Sequence, residues 1–182
     1  MDIVAHGLWA GAAGIAAKRA GVKVRVGWAA AWAMFPDLLA FAPPVAVGLW
    51  MLASGTAGSA RPGHAGIPHA HIGAPLYPLG HSVVVFAVAY GLATLALRRP
   101  PLAMLGWLTH ILIDIPTHSY SYYATRFLWP LSNYSINGIA WWTRWFWVST
   151  YAGLAVVYAL MWRKGWLART PRPSATTCSG DH

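Results

Sequence analysis

The chain has 182 residues, 57% of them hydrophobic and only 9% charged, with a net charge of +9. A typical soluble domain carries roughly a quarter charged residues, so this composition argues against an ordinary soluble fold and for a protein of the bilayer. The basic residues sit in short clusters between apolar runs instead of forming one patch, which argues against a nucleic-acid partner.

Five segments read as membrane spans: residues 3–17, 26–52, 79–97, 102–115 and 145–162. The expected fold class is therefore all-α, a polytopic helical membrane protein. Residues 1–6 lack the basic leader of a secretory signal, so the first segment is expected to be a retained span. It carries Gly7, Gly11 and Gly14, which suit close helix packing. The second segment contains Pro36, Pro43 and Pro44, and a break or kink is expected there. The first and fourth are short against the roughly 20 apolar residues that cross the hydrocarbon core.

Between these segments, residues 53–78 are rich in Gly, Ala, Pro and His and read as an irregular loop. Residues 116–144 hold Tyr120, Tyr122, Tyr123, Trp129, Trp141 and Trp142 and read as an interfacial aromatic lid. Residues 1–169 then form one helical membrane domain, and 170–182 a short disordered tail. The single cysteine, Cys178, lies in that tail and permits no intrachain disulfide.

Charge orients the bundle. Lys18, Arg19, Lys23, Arg25, Arg98, Arg99, Arg163, Lys164, Arg169 and Arg172 fall on one side; only Arg61, Arg126 and Arg144 fall on the other. The positive-inside rule places the N-terminus outside and the tail in the cytoplasm.

The chain has no glutamate and four aspartates, two of which, Asp37 and Asp114, lie inside apolar spans. An aspartate at the bilayer centre costs about 2.5–3.5 kcal/mol and marks a functional site by default. His110 and Asp114 are four apart, close enough on one helix face to reach the same ion. His6, His81, His110, Asp37 and Asp114 all approach one cavity in the outer half of the bundle, with His64, His69, His71 and His118 in the outer loops. Imidazole and carboxylate together suit a divalent metal, zinc first, in one or two ions. With no reactive Cys and no Ser in a GxSxG setting, metal-activated water is the economical chemistry.

The order His6, Pro36-Asp37, Gly80-His81-Ser82, His110-x3-Asp114, Trp129-Pro130 resembles the bacterial family of membrane-bound metal-dependent hydrolases, also described as LexA-binding and inner-membrane-associated. Residues 106–114 are the closest local match, and the resemblance runs from His6 to about Leu131. The ligand order is also similar to that of zinc-dependent phospholipase C.

The resemblance implies that Asp37, His81, His110 and Asp114 hold one ion, that His6 and Asp114 share another, and that Asp37 and Asp114 serve catalysis. His118, His71 and Arg126 are expected as further ligands or substrate contacts, with Arg126 and Arg144 also suited to headgroup snorkelling. The implied activity is hydrolysis of a phosphoester in a lipid-like, amphiphilic substrate at the bacterial inner membrane. Two departures stand out: Leu39 replaces the family's second aspartate, and Leu76 replaces a histidine. A metal or proton transporter, or a non-catalytic membrane adaptor with a degenerate site, are the alternatives.

Overall fold

The computed structural model describes residues 1–56, 70–121 and 123–168, with the side chains of Ala70 and His71 outside the description. The described residues are helical, with no β-strand among them. The long helices are α1 (Ile3–Arg19), α2 (Val26–Ala53), α5 (Val83–Leu97), α6 (Leu105–Thr117) and α7 (Arg144–Arg163). Two single turns, α3 (Ala70–Gly73) and α4 (Tyr77–Gly80), precede α5, and a 3-10 turn at Leu102–Met104 leads into α6. The loop expected over residues 53–78 is thus partly helical at its end.

Among the described residues two helices, α2 with 28 residues and α7 with 20, are long and apolar enough to cross a membrane, while α5 and α6 are shorter apolar helices. Large apolar side chains face outward on several of them, among them Trp50 at 74% and Leu95 at 76% exposure. An outer surface this apolar belongs in lipid rather than water.

Local chemistry sets the helix boundaries. Asp2 caps α1, its Oδ1 accepting from the backbone N–H of Val4 (3.1 Å) and Ala5 (3.0 Å). The Tyr151 hydroxyl donates to the same oxygen at 2.9 Å and ties α7 to this end of α1. Ser82 caps α5 by accepting from Val84 and Val85. That cap starts the helix at Val83, four residues later than the span expected from residue 79, and leaves His81 in the joint between α4 and α5.

The break expected in α2 as one outcome is absent: all 28 residues are helical through Pro36, Pro43 and Pro44. A proline frees the carbonyl four residues earlier, and the freed carbonyl of Ala40 lies directly against Gly73 of α3. Neighbouring backbone packs where the helix has lost its own bond.

The glycines of α1 do serve packing. Gly7 lies against Met34 and Gly14 against Val26, both on α2, and Gly11 meets Tyr158 of α7. A closer approach than any of these lies on α6, where Gly106 rests on the backbone of Ala29 in α2. A buried cluster of Phe86, Met104, Trp107 and Ile111 fills the space between α5 and α6. Trp107 Nε1 donates to the Gly80 carbonyl at 2.5 Å, fixing the chain one residue before His81.

Candidate metal centre

Four side chains converge where α2, α6 and the α4–α5 joint meet. Asp37, His81, His110 and Asp114 are all buried and each offers a ligand atom, all within 4.8 Å of one another. The group could hold a metal ion.

The two imidazoles are held by backbone. His81 Nδ1 is 2.9 Å from the Tyr77 carbonyl, and His110 Nδ1 is 2.7 Å from the Ala33 carbonyl. A carbonyl only accepts, so each Nδ1 carries a hydrogen and each Nε2 faces the centre, where it would offer a lone pair to a cation once deprotonated. Those Nε2 atoms are 3.0 Å apart. Asp114 Oδ2 lies 3.1 Å from His110 Nε2 and 3.4 Å from His81 Nε2; Asp37 Oδ1 lies 3.5 Å from His81 Nε2 and 3.8 Å from His110 Nε2.

Asp114 Oδ2 is buried without a hydrogen-bond partner despite these neighbours. Two ring nitrogens and two carboxylates gathered away from water carry a large desolvation cost unless a proton or a metal cation satisfies them. A carbonyl holding the second nitrogen of a ligating histidine is the usual outer support of such a site. The residues therefore fit a divalent ion with two nitrogen and two oxygen donors.

A second group adjoins the first at the other carboxylate oxygen. His6 Nε2 is 2.9 Å from Asp114 Oδ1, yet both ring nitrogens of His6 lack a hydrogen-bond partner. Its ring stacks on His110 at 3.8 Å between centroids. His118 Nδ1 is 3.4 Å from Asp114 Oδ1. Helix α6 continues through Pro116 to Thr117, which carries His118 round to the face of His110 and Asp114. Burial pushes the His118 imidazole down to about 4, so it is neutral at pH 7. The Met1 amine is 2.6 Å from Asp114 Oδ1, and Thr117 Oγ1 is 3.4 Å away.

The remaining expected residues lie apart. Arg126 and Arg144 are exposed, and neither lines the cavity beside Asp37. The side chains of His64, His69 and His71 lie outside the described residues, as do Tyr122 and residues 169–182. Sequence reasoning missed the carbonyls of Ala33 and Tyr77, for which residue type gives no signal. It also missed a cavity of about 510 Å³ next to the centre, lined in part by Asp37, Leu38, Phe41, Val45, His118 and Trp141. Trp141 arrives there because residues 138–141 bond back to the end of α6, with Gly138, Ile139 and Trp141 N–H donating to the carbonyls of His118, Pro116 and Thr117.

Among the described residues, apolar helices around a buried histidine–aspartate group fit a membrane-associated class of protein whose centre could hold a metal ion. Within that class the chain belongs to the YdjM inner membrane protein family, matched over residues 1–175. No curated protein sequence and no solved structure matches it. The family description supports the bacterial inner-membrane location; it carries neither hydrolysis nor a likeness to phospholipase C.

Proposed function

We propose that the protein is a metal-dependent hydrolase of the inner membrane that cleaves a phosphoester in a lipid or lipid-linked substrate. The observation that carries this reading is the pair of Nε2 atoms facing two buried carboxylates, next to a cavity of about 510 Å³. A bound divalent ion, zinc by its fit to this donor set, would activate water near neutral pH and polarise a phosphoryl oxygen.

The chain's own groups would divide the work. Asp114 and the two histidines, fully buried, hold position. Asp37, alone among the four, borders the cavity and is placed to take a proton from the attacking water. The transport alternative finds less support. The seam between α1, α2 and α6 is lined by Ala10, Gly14, Ala29, Leu105 and Gly106, with Thr109 as its one polar residue; that hydroxyl donates to the Leu105 carbonyl of its own helix, so the seam offers no series of polar groups for a relay.

Metal analysis of the detergent-purified protein, with a phosphoester panel on wild type and Asp37→Asn, tests the reading. Wild type is expected to carry metal and cleave at least one phosphoester. Asp37→Asn is expected to lose on the order of 10²-fold or more in kcat, the range of a general base. Metal without cleavage of any ester would remove the enzyme and leave the centre; protein free of metal would remove both.

Five spans, with the N-terminus and the centre toward the outer face, complete the proposal. An impermeant maleimide is then expected to label Cys178 only after cells are permeabilised. Labelling in intact spheroplasts would turn the centre toward the cytoplasm.

A further inference from the structure

We infer that the cavity beside the centre is a slot for one alkyl chain, and that the substrate is a phosphate ester whose head lies at Asp37 and His118. The inference rests on the hydrolase reading and adds the shape of the substrate and the residues that select it.

The slot has one polar end. Asp37, His118 and the N-terminal residues Met1 and Asp2 border it there, and Leu38, Phe41, Ala42 and Val45 line the length of α2 beyond. These four side chains follow Asp37 at helical spacing, so they form a single wall directed away from the carboxylate. From Asp37 to Val45 the helix rises about 12 Å, a distance that an extended chain on the order of ten carbons covers with carbon–carbon bonds of about 1.5 Å. Leu38 and Val45 are 48% and 51% exposed, apolar surface that a chain would cover. Trp141 also lines the cavity, and its backbone N–H is held by the Thr117 carbonyl beside His118.

An outward helix face elsewhere on the bundle, such as that of Leu92 and Leu95 on α5, has apolar side chains and no carboxylate. The slot differs in running from lipid-facing side chains to a buried ionisable group. A hydrocarbon tail fits the apolar end; an oxygen-rich phosphate head would fit the other end beside the divalent ion that Asp37 and its neighbours would hold, since a carboxylate alone repels an anion.

The test is photolabelling with dodecyl phosphate bearing a diazirine at the chain end, on the metal-loaded protein in detergent, with labelled peptides mapped by mass spectrometry. Label is expected on residues 41–45 and is expected to be displaced by unlabelled dodecyl phosphate. Ala42→Trp fills the slot and should cut that label at least about tenfold, the scale of an overpacked site, while metal content stays unchanged. Leu92→Trp on α5 should leave it intact. Label spread evenly over the outward faces of α2, α5 and α7, or indifferent to Ala42→Trp, would overturn the slot.

The two readings fail separately. Slot labelling as expected with no ester cleaved keeps the slot and removes the hydrolase. Cleavage of short-chain esters with scattered label removes the slot and keeps the hydrolase.

Discussion

Asp114→Asn is expected to release the metal from the purified protein and to abolish any hydrolysis that depends on it. Asp114 is the hub of the centre: Oδ2 faces His110 and His81, while Oδ1 faces His6 and His118. The side chain is fully buried, so no water can replace what the substitution removes. Asparagine keeps the volume but replaces an acceptor oxygen with a donor NH₂ and deletes the charge. Changes that only disturb the support of a metal ligand cost about 10–100-fold in affinity, and loss of a shared ligand should exceed that range. Elemental analysis after dialysis measures it. Asp2→Asn is the matched control, because Asp2 caps α1 and asparagine caps nearly as well; its metal content should equal wild type. An Asp114→Asn protein that retains full metal would show that the ion, if any, binds elsewhere.

The sequence reached Asp114 by two arguments of different strength. A charge inside an apolar run has an energetic cost that is visible without a structure, and the four-residue step to His110 is a property of one helix. Asp37, His81 and His6 needed the sidedness of the whole chain, since no local spacing links them to each other. His118 stayed open because Pro116 obscures the continuation of the helix, and the structure shows α6 running on to Thr117.

What the sequence withheld was backbone. The carbonyls of Ala33 and Tyr77 orient the two histidines, and a carbonyl looks the same under every side chain. The continuity of α2 was hidden for a related reason. Its three prolines read as a break because a proline's local cost is known, whereas the packing of Gly73 over the Ala40 carbonyl is a tertiary fact. The number of spans was likewise legible only in outline: α2 and α7 satisfy length and hydropathy alone, and the shorter helices do not.

Gly106 shows how tightly that backbone geometry governs the centre, and Gly106→Ala is expected to destabilise the protein and weaken metal binding without touching a ligand. In an open helix the change would stabilise by up to about 1 kcal/mol through helix propensity. Here a Cβ would meet the carbonyl oxygen of Ala29, and the Ala33 nitrogen at 3.2 Å. These are backbone atoms of a neighbouring helix and cannot swing aside, so overpacking of about 1–3 kcal/mol or more outweighs the propensity gain. Gly106, His110 and Asp114 succeed one another by single turns of α6, and the Ala33 carbonyl that holds His110 lies one turn beyond Ala29 on α2. A methyl group that wedges the two helices apart therefore loosens the His110–Ala33 bond and draws Asp37 away from Asp114 together. Thermal unfolding in detergent and metal titration should both move, in the same direction. Gly91→Ala on α5, where a Cβ meets nothing within 4 Å, should move stability slightly upward and leave metal binding alone. A Gly106→Ala protein as stable and as metal-rich as wild type would mean that α2 and α6 do not approach this closely, and with that the convergence of Asp37 on His110 and Asp114 would lose its support.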